Sequence, residues 1–331
     1  MSALAHVAIH PSQFPERVRQ DLLESLRTRR VNHKFHYDSV KQTQLWLALH
    51  QAFSPSRTDA DCAATYDRSF RAAAARLASP HVHLIGLGCG GGQKDTRLLR
   101  LLRKAGKEVT YTPCDVSTAM VLVARRAALT VIPNERCFPL VCDLASANDL
   151  PAVFGRAREI LPTADRLVTF FGMIPNFEPQ LILPQLAALL RRGDSLLFSA
   201  NLAPGPEYLA GVRKILPLYD NALTRDWLMT FLLDLGVKDS DGDLRFVIEK
   251  DPDGSDLLRV AAYFQFTRAR KIVVDDKAFD FAKRERIRLF FSYRQTPALM
   301  LEMLAEHRLE VLAEWITQSE EEGVFLCSKR R

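Results

Sequence analysis

Residues 81–95 read HVHLIGLGCGGGQKD, an apolar run followed by five glycines within seven positions and then by a lysine. Glycine loses more backbone entropy on folding than any other residue. So many glycines after a buried strand therefore predict a loop whose backbone approaches a ligand closely. The spacing G-x-G-x-x-G at Gly86, Gly88 and Gly91 is typical of dinucleotide-binding folds, but loops that hold the amino-acid part of S-adenosylmethionine share it. A tight turn without a ligand is the structural alternative, and the stretch alone leaves the choice open.

The chain alternates between strand-like and helix-like segments from about residue 81 to 200. The predicted strands are HVHLIGL (81–87), EVTYTP (108–113), RCFPLVC (136–142), RLVTFF (166–171) and DSLLFSA (194–200). Segments with helical spacing of apolar residues separate them at 94–104, 117–129 and 179–191. Apolar strands separated by such helices predict a mostly parallel α/β sheet covered on both faces. Ligands of these sheets lie beyond the carboxyl ends of the strands.

The C-terminal segment favours one of the two cofactors. A predicted helix at 297–306 is followed by LEVLAEWIT (309–317), the acidic turn SEEEG (319–323) and VFLCSKR (324–330). This pattern predicts an antiparallel hairpin that closes the edge of the sheet. Class I methyltransferases end in this way, whereas a dehydrogenase domain normally ends its sheet with a parallel strand. The hairpin therefore favours a methyltransferase, with an NAD-dependent oxidoreductase as the alternative.

The segment after Asn201 has the character of an insertion. Helical stretches at 206–216 and 224–235 precede LRFVIEK (244–250) and LLRVAAYFQFT (257–267), which are joined by the hairpin signal DPDGSD (251–256). RKIVV (270–274) and RIRLFFSY (286–293) are predicted to extend the same antiparallel sheet. We therefore predict a Rossmann-like methyltransferase domain at 62–204 and 295–331, and a smaller α+β substrate-binding subdomain at 1–61 and 205–294.

Polar residues that follow the predicted strands are candidate ligands of the cofactor. Asp115 in TPCDVS is placed to accept the two ribose hydroxyls, a role that both cofactor types use, although an Asp near the cap of the next helix has the same pattern. Asp143 in VCDLAS is placed to accept from the amine of adenine while Leu144 packs on the ring. An acid at this third position favours S-adenosylmethionine over NAD, with a simple loop Asp as the alternative. Gly172 and Asn176 follow the fourth strand, where the methyl group is transferred.

Composition restricts the class of protein further. Of the 331 residues, 47% are hydrophobic and 25% charged, which is ordinary for a globular protein with a full-sized core. The basic clusters at 27–30 and 283–288 lack interleaved aromatic residues, so they predict solvated faces and no nucleic-acid partner. The six cysteines form no C-x-x-C pair or zinc spacing, so we predict no metal site and a reduced, cytoplasmic protein. No stretch approaches 18 apolar residues, and the N-terminus lacks the apolar run of a signal peptide.

The order of these features resembles the histidine Nα-methyltransferase family of ergothioneine biosynthesis. The matching stretches are YD (37–38), SPSRTDAD (54–61), GLGCGGGQKDTRLL (86–99), TPCDVS (112–117), CDL (142–144), GMIPNF (172–177), LYDNA (218–222) and FFSYR (290–294). They span most of the chain, including the insertion, and are therefore more specific than the glycine loop alone. The resemblance implies a class I methyltransferase domain with a small substrate domain, and S-adenosylmethionine as the cofactor.

The resemblance also assigns roles to individual residues. For the cofactor it implies contacts from Gly88, Lys94, Asp115, Asp143 and Leu144, with Lys94 reaching the carboxylate of the cofactor's amino-acid part. Asn176 and Tyr219 match residues that hold the α-carboxylate of the substrate, Tyr37 matches a tyrosine near its amino group, and Ser292 matches a serine near its side chain. Tyr37, Asn176 and Tyr219 are therefore the expected catalytic residues. For each tyrosine, a half-buried aromatic with its hydroxyl at the surface is the structural alternative.

The chain departs from this family at positions that bear on the substrate. Gly86 and Gln93 stand where the family's loop has acids, and Phe53 and Ser54 replace a paired-tyrosine segment. Phe290 stands where the histidine enzymes have a Glu that grips the imidazole. We therefore predict an N-methyltransferase for a small-molecule amine, an amino acid or close derivative, whose side-chain pocket at Phe53 and Phe290 is apolar. A non-catalytic protein that binds S-adenosylmethionine is the alternative from another class.

Overall fold

The computed structural model describes residues 4–155, 163–252 and 254–330. The helices are α1 (Pro15–Thr28), α2 (Val40–Phe53), α3 (Pro55–Thr58), α4 (Ala60–Ala75), α5 (Gln93–Lys104), α6 (Thr118–Ala128), α7 (Leu150–Val153), α8 (Pro179–Leu189), α9 (Tyr208–Ile215), α10 (Ala222–Asp234) and α11 (Pro297–Glu306). The strands are β1 (Ala8–Ile9), β2 (His81–Leu87), β3 (Glu108–Asp115), β4 (Leu140–Val141), β5 (Asp165–Phe171), β6 (Ser195–Asn201), β7 (Gly242–Lys250), β8 (Leu258–Phe266), β9 (Arg270–Val274), β10 (Lys277–Phe281), β11 (Arg286–Arg294), β12 (Leu309–Ile316) and β13 (Glu322–Lys329).

The chain divides into two compact units. The larger unit comprises Met1–Gln13, Pro55–Leu202 and Gln295–Arg331, and the smaller unit comprises Phe14–Ser54 and Ala203–Arg294. The sequence assigned residues 1–61 as a whole to the smaller unit, but the structure divides this stretch. Residues 8–13 stay with the large sheet because the Ala8 N–H donates to Pro139 O at 3.0 Å and the His10 N–H donates to Val141 O at 2.9 Å.

The larger unit is built on one sheet with the strand order β1-β4-β3-β2-β5-β6-β13-β12. The first six strands are parallel to their neighbours, and β13 pairs antiparallel with both β6 and β12. The predicted class I methyltransferase fold with its closing C-terminal hairpin is therefore confirmed. The strand order reverses direction at β2, between β3 and β5, and the crevice at such a switch point is where open α/β sheets bind ligands.

Apolar cores cover both faces of this sheet. On one face, Leu84 and Val109 pack with α4 and α5 through Phe70, Leu98 and Leu102. On the other face, Ile85 and Phe170 pack with the apolar side of α8. The predicted strand at 136–142 is reduced to Leu140–Val141, because Asn134–Arg136 forms a 3-10 turn and Pro139 has no N–H to donate.

The smaller unit is α+β. Strands β11, β8 and β7 form an antiparallel sheet in that order, while β9 and β10 form a separate two-stranded ribbon. The prediction that 270–274 extends the larger antiparallel sheet is therefore wrong, because these residues pair with Lys277–Phe281 across a tight turn at Asp275, whose φ is 53°. The predicted turn at 251–256 includes Asp253, which lies outside the described residues.

Among the residues that the structure describes, no helix has the length and apolar character to cross a membrane. The cytoplasmic location stays a prediction.

Candidate functional site

The glycine loop joins β2 to α5 and packs closely against its neighbours. Gly88 has a φ of 60°, and a Cβ there would lie 2.5 Å from the side chain of Met173. Gly92 has a φ of 72°, and a Cβ there would lie 2.7 Å from the backbone of Ala124 in α6. Both positions exclude larger residues through backbone angle and space. The loop's glycines therefore bring the backbone against the segment after β5 and against α6.

Asp115 ends β3 and is bonded to the glycine loop. Its Oδ2 accepts from the Gly90 N–H at 2.9 Å, and its Oδ1 accepts from the Ser117 N–H at 3.1 Å. Burial raises the pKa of Asp115, and these N–H donors offset part of the rise. The Val116 N–H is a third backbone donor, and a carboxylate accepts about four hydrogen bonds in all, so room remains for one further donor. The acid therefore fits a ligand that donates a hydroxyl at the end of β3.

Asp143 and Leu144 follow the short strand β4. The Asp143 Oδ1 accepts from the Ala145 N–H at 2.9 Å, and the Asp143 N–H donates to Ser12 Oγ at 3.0 Å. The Cys142 N–H donates to Asp115 O at 2.9 Å, which joins the ends of β3 and β4. Leu144 is buried in the core on one face of the sheet. Sequence reasoning missed Ser12, since nothing local marks the N-terminal segment as a partner of this edge.

The segment after β5 carries the motif GMIPNF. The Gly172 N–H donates to Ser199 Oγ at 2.9 Å, and the φ of Gly172 is 69°. Ile174–Asn176 forms a 3-10 turn that leaves Asn176 half-buried. Met173 is the residue that packs at Gly88. The predicted site residues that follow β2, β3, β4 and β5 thus lie together at the carboxyl edge of the sheet.

A buried polar cluster, here called the Lys94 network, lies at the same edge. It consists of Cys62, Tyr66, Lys94, Ser199 and Glu322. The Lys94 ammonium donates to Tyr66 Oη at 2.6 Å and lies 3.5 Å from Glu322 Oε1. The Tyr66 hydroxyl also contacts the Glu322 carboxylate and lies 2.8 Å from Ser199 Oγ. The Cys62 thiol donates to Glu322 Oε2 at 3.3 Å.

The charges in this network are compensated internally. Burial by itself raises the pKa of Glu322, but the Lys94 charge and the hydrogen bonds from Tyr66 and Cys62 lower that pKa below its ordinary value overall. Burial and the Glu322 charge hold the pKa of Tyr66 well above its usual range, so Tyr66 stays a neutral phenol. The network is therefore a buried ion pair bridged by a hydroxyl. Sequence reasoning missed Tyr66 and Glu322, because nothing local distinguishes Glu322 from the other acids of SEEEG.

The smaller unit brings two predicted substrate residues together. The hydroxyls of Tyr219 and Ser292 lie 2.8 Å apart, and the Nε–H of Arg294 donates to Tyr219 Oη at 3.1 Å. Arg294 is a further polar residue that sequence reasoning assigned no role, although it closes the motif FFSYR. Asn176, which was predicted to share a ligand with Tyr219, belongs to the larger unit.

An aromatic cluster surrounds Phe290 in the smaller unit. We define it as His33, Tyr37, Tyr219, Trp227 and Phe290. The Phe290 ring is 6% exposed, and its centroid lies 5.2 Å from that of His33, 5.9 Å from Trp227 and 6.0 Å from Tyr219. Tyr37 joins through Trp227 at 5.4 Å.

Phe53 differs from the other predicted substrate residues of the smaller unit. Its side chain is 45% exposed at the end of α2, outside the aromatic cluster. The predicted contact between Phe53 and a substrate side chain stays a prediction. Of these two predicted apolar positions, Phe290 is the buried one.

Comparison with known proteins identifies relatives at the level of family and fold. A family model described as a histidine-specific, S-adenosylmethionine-dependent methyltransferase matches residues 18–215, which is more than half of the chain. No curated protein matches the sequence.

Several solved structures are similar to this chain at low sequence identity. Magnesium protoporphyrin IX methyltransferase from Synechocystis, with bound S-adenosylhomocysteine, is 14% identical with a TM-score of 0.44 over 88% of this chain and 95% of that chain. The 1,6-didemethyltoxoflavin-N1-methyltransferase of Burkholderia thailandensis is 13% identical with a TM-score of 0.37 over 86% and 89%. The methyltransferase CcbJ of Streptomyces caelestis is 12% identical with a TM-score of 0.40 over 81% and 90%. The fold assignment depends on the strand order and not on these scores.

Proposed function

The chain belongs to the family of histidine-specific, S-adenosylmethionine-dependent methyltransferases, and from this premise we propose that it methylates the amine of an amino acid or amino-acid-like small molecule with an apolar side chain. The family's cofactor is S-adenosylmethionine, so the NAD-dependent alternative is set aside. The proposal adds two statements to the family's chemistry: the methylated atom is a nitrogen, and the substrate has an apolar side chain.

The residues of the larger unit fit the cofactor's functional groups. When bound, S-adenosylmethionine supplies a methyl group on a positively charged sulfur. Lys94 has three N–H groups, and its contacts with Tyr66 and Glu322 leave a donor for the cofactor's carboxylate. Asp115 accepts a ribose hydroxyl with the lone pair that its backbone donors leave. Asp143 accepts from the adenine amine, and Leu144 borders the ring.

Tyr219 is the proposed anchor for the substrate's carboxylate in the smaller unit. Arg294 donates a hydrogen bond to the Tyr219 oxygen. This bond polarises the phenol and makes the Tyr219 O–H a stronger donor. Ser292 lies beside the same hydroxyl. In the larger unit, Asn176 offers an amide donor of the kind that a carboxylate accepts.

The single observation that carries the substrate proposal is the burial of Phe290 among aromatic rings. A substrate imidazole placed against the Phe290 ring would find no hydrogen-bond partner on that ring, at a cost of about 1–3 kcal/mol for each nitrogen left unpaired. An apolar side chain instead gains about 25 cal/mol for each Å² of apolar surface removed from water. The cluster therefore favours an apolar or aromatic amino acid over histidine.

The chemistry that this proposal asks of the chain is mainly alignment. Methyl transfer is an in-line displacement, which gains most from holding the two reacting atoms in register. The amine must attack as a neutral group, so its ammonium proton leaves to solvent or to a nearby oxygen, with Tyr37 as the tyrosine proposed to hold the amine. No metal or second cofactor is needed for this step.

A methylation assay over the common amino acids, read by mass spectrometry, tests the proposal. We expect apolar or aromatic amino acids to be the best substrates of the wild type. Phe290→Glu is expected to raise the relative rate on histidine, whereas the matched control Phe290→Leu keeps the apolar preference. Histidine as the best wild-type substrate would overturn the proposal. Calorimetric binding of S-adenosylmethionine without turnover on any amine would support the non-catalytic alternative instead.

A further inference from the structure

A buried carboxylate that the proposed reaction does not use lies directly beneath the glycine loop. Asp95 is in the first turn of α5 and is only 3% exposed. Its Oδ2 accepts from the Tyr111 hydroxyl at 2.6 Å, and its Oδ1 accepts from the Thr169 hydroxyl at 2.8 Å. Tyr111 belongs to β3 and Thr169 to β5, the two strands that flank β2. One carboxylate from a helix therefore spans three adjacent strands.

Gly86 makes this span possible. It lies on β2 opposite Pro113 of β3 and Thr169 of β5. A Cβ at Gly86 would lie 2.1 Å from Asp95 Oδ2 and 2.9 Å from Tyr111 Oη, closer than real Cβ contacts allow. The φ of Gly86 is not in the left-handed region, so glycine is required here for space and not for backbone angle. The volume that a side chain at 86 would fill is occupied by the Asp95 carboxylate.

The three strands tied by Asp95 each lead into a part of the cofactor edge. Beyond Gly86, β2 enters the glycine loop at Gly88; β3 ends at Asp115; and β5 continues into Gly172. From this arrangement we propose that Asp95 is a positioning residue, which fixes the placement of these three strand ends and thereby the affinity for S-adenosylmethionine. Gly86 is its structural counterpart.

The energetics of the carboxylate agree with such a role. Burial raises the pKa of Asp95, and the hydrogen bonds from Tyr111 and Thr169 offset part of the rise. Both hydroxyls are themselves almost fully buried. Removing the acceptor leaves the Tyr111 donor out of reach of water, while Thr169 keeps a long contact with Ile85 O at 3.4 Å. A shift of strand ends by as little as an ångström is enough to weaken a preorganised site strongly.

Moving the carboxylate from the helix to the strand tests this proposal. In Gly86→Asp the new carboxylate is attached directly to the Cβ, so it would occupy the space that the Asp95 carboxylate fills in the wild type. We would measure the affinity for S-adenosylhomocysteine by calorimetry, without any amine, and the free energy of unfolding by urea. The variants are Asp95→Ala, Gly86→Asp, the double variant, and the control Asp194→Ala. Asp194 is a buried acid at the opposite, N-terminal edge of the sheet, beside Arg166.

Each single variant at 86 or 95 is expected to lose about tenfold in affinity or more. The double variant is expected to recover most of that loss, while Asp194→Ala loses stability and keeps wild-type affinity. Wild-type affinity in Asp95→Ala, an equal loss of affinity in Asp194→Ala, or no recovery in the double variant would overturn the proposal. If Asp95→Ala does not fold, Asp95→Asn takes its place, with a smaller expected loss. Because no amine is present, these outcomes are independent of the proposed substrate.

Discussion

The Lys94 network of the larger unit and the aromatic cluster of the smaller unit both contain buried side chains, but they are stabilised in opposite ways. The network encloses an ion pair, Lys94 and Glu322, joined through the Tyr66 hydroxyl. The cluster encloses rings, with hydrogen bonds around Tyr219 and from the Trp227 Nε1–H to His36 O. The difference teaches that the network is arranged around fixed charges, while the cluster is arranged for shape and apolar area.

The two arrangements also fail in different ways. Removing one partner of a buried ion pair leaves an uncompensated charge, whereas removing one hydroxyl beside a half-buried ring costs little beyond the hydrogen bond itself. The experiments below compare the two units on that basis, from the largest expected effect to the smallest.

The largest effect is expected from Glu322→Ala. The variant leaves the mostly buried Lys94 without its charge partner, and we expect a loss of about 3–5 kcal/mol in the free energy of unfolding. Urea unfolding measures it. The control Glu314→Ala, at an exposed position of β12, is expected to change stability by about 0.5 kcal/mol or less. Equal stabilities of the two variants would show that the ion pair contributes nothing.

A pH titration of stability compares the units through one histidine in each. Burial lowers the pKa of His83 in the larger unit and of His36 in the smaller unit to about 4. The unfolded chain binds these protons near pH 6.5, so stability is full above that pH and falls between pH 6.5 and 4. We expect about 3 kcal/mol from each histidine at the low end.

Variants assign this pH dependence to its sources. His83→Gln and His36→Gln should each flatten the pH profile by its own share when urea unfolding is repeated from pH 7 to 4. His33, which is half-buried in the smaller unit, also has a pKa held well below its usual range by desolvation and adds to the loss there. A profile that neither variant changes would contradict the assignment to these histidines.

Tyr66→Phe deletes the hydroxyl at the centre of the Lys94 network and keeps the ring. It leaves Lys94, Glu322 and Ser199 each without one hydrogen-bond partner, and we expect a loss of about 1–3 kcal/mol in stability. Affinity for S-adenosylhomocysteine, measured by calorimetry, should fall as well, because Lys94 loses its nearest contact. Phe70→Leu in the adjoining core is the control, expected to lose stability at unchanged affinity.

Tyr219→Phe makes the same chemical change in the smaller unit and is expected to have the smallest effect on stability. Two buried partners, Ser292 and Arg294, each lose one hydrogen bond, against three partners in Tyr66→Phe, and the expected loss is about 1–2 kcal/mol. On the proposed function, the KM for the amine substrate should rise while the affinity for S-adenosylhomocysteine stays unchanged. A stability loss as large as that of Tyr66→Phe would remove the contrast between the two units.

Much of the larger unit could be predicted from local pattern. The strands β2, β3, β5 and β6 carry apolar residues in strand-like patterns, and the C-terminal hairpin carries its own turn signal. The existence of these elements was therefore predictable. The strands β1 and β4 have only two residues each, too few to show a period. In the smaller unit, the family resemblance indicated Tyr219 and Ser292, and the structure places their hydroxyls 2.8 Å apart, while their role toward a substrate stays a prediction.

The glycine loop, the acids after the strands and the hairpin follow from the order of residues alone, because side-chain period and backbone freedom are properties of neighbouring positions. The Lys94 network does not, since Tyr66 and Glu322 stand 256 positions apart and meet only when β13 pairs beside β6. Gly86 shows the same limit at short range. In the sequence, the absence of a side chain at Gly86 predicts space for a ligand. In the folded chain, the carboxylate of Asp95 occupies that space. Burial and close packing depend on contacts between residues that are distant in sequence, and a local sequence pattern does not predict which residues will make those contacts.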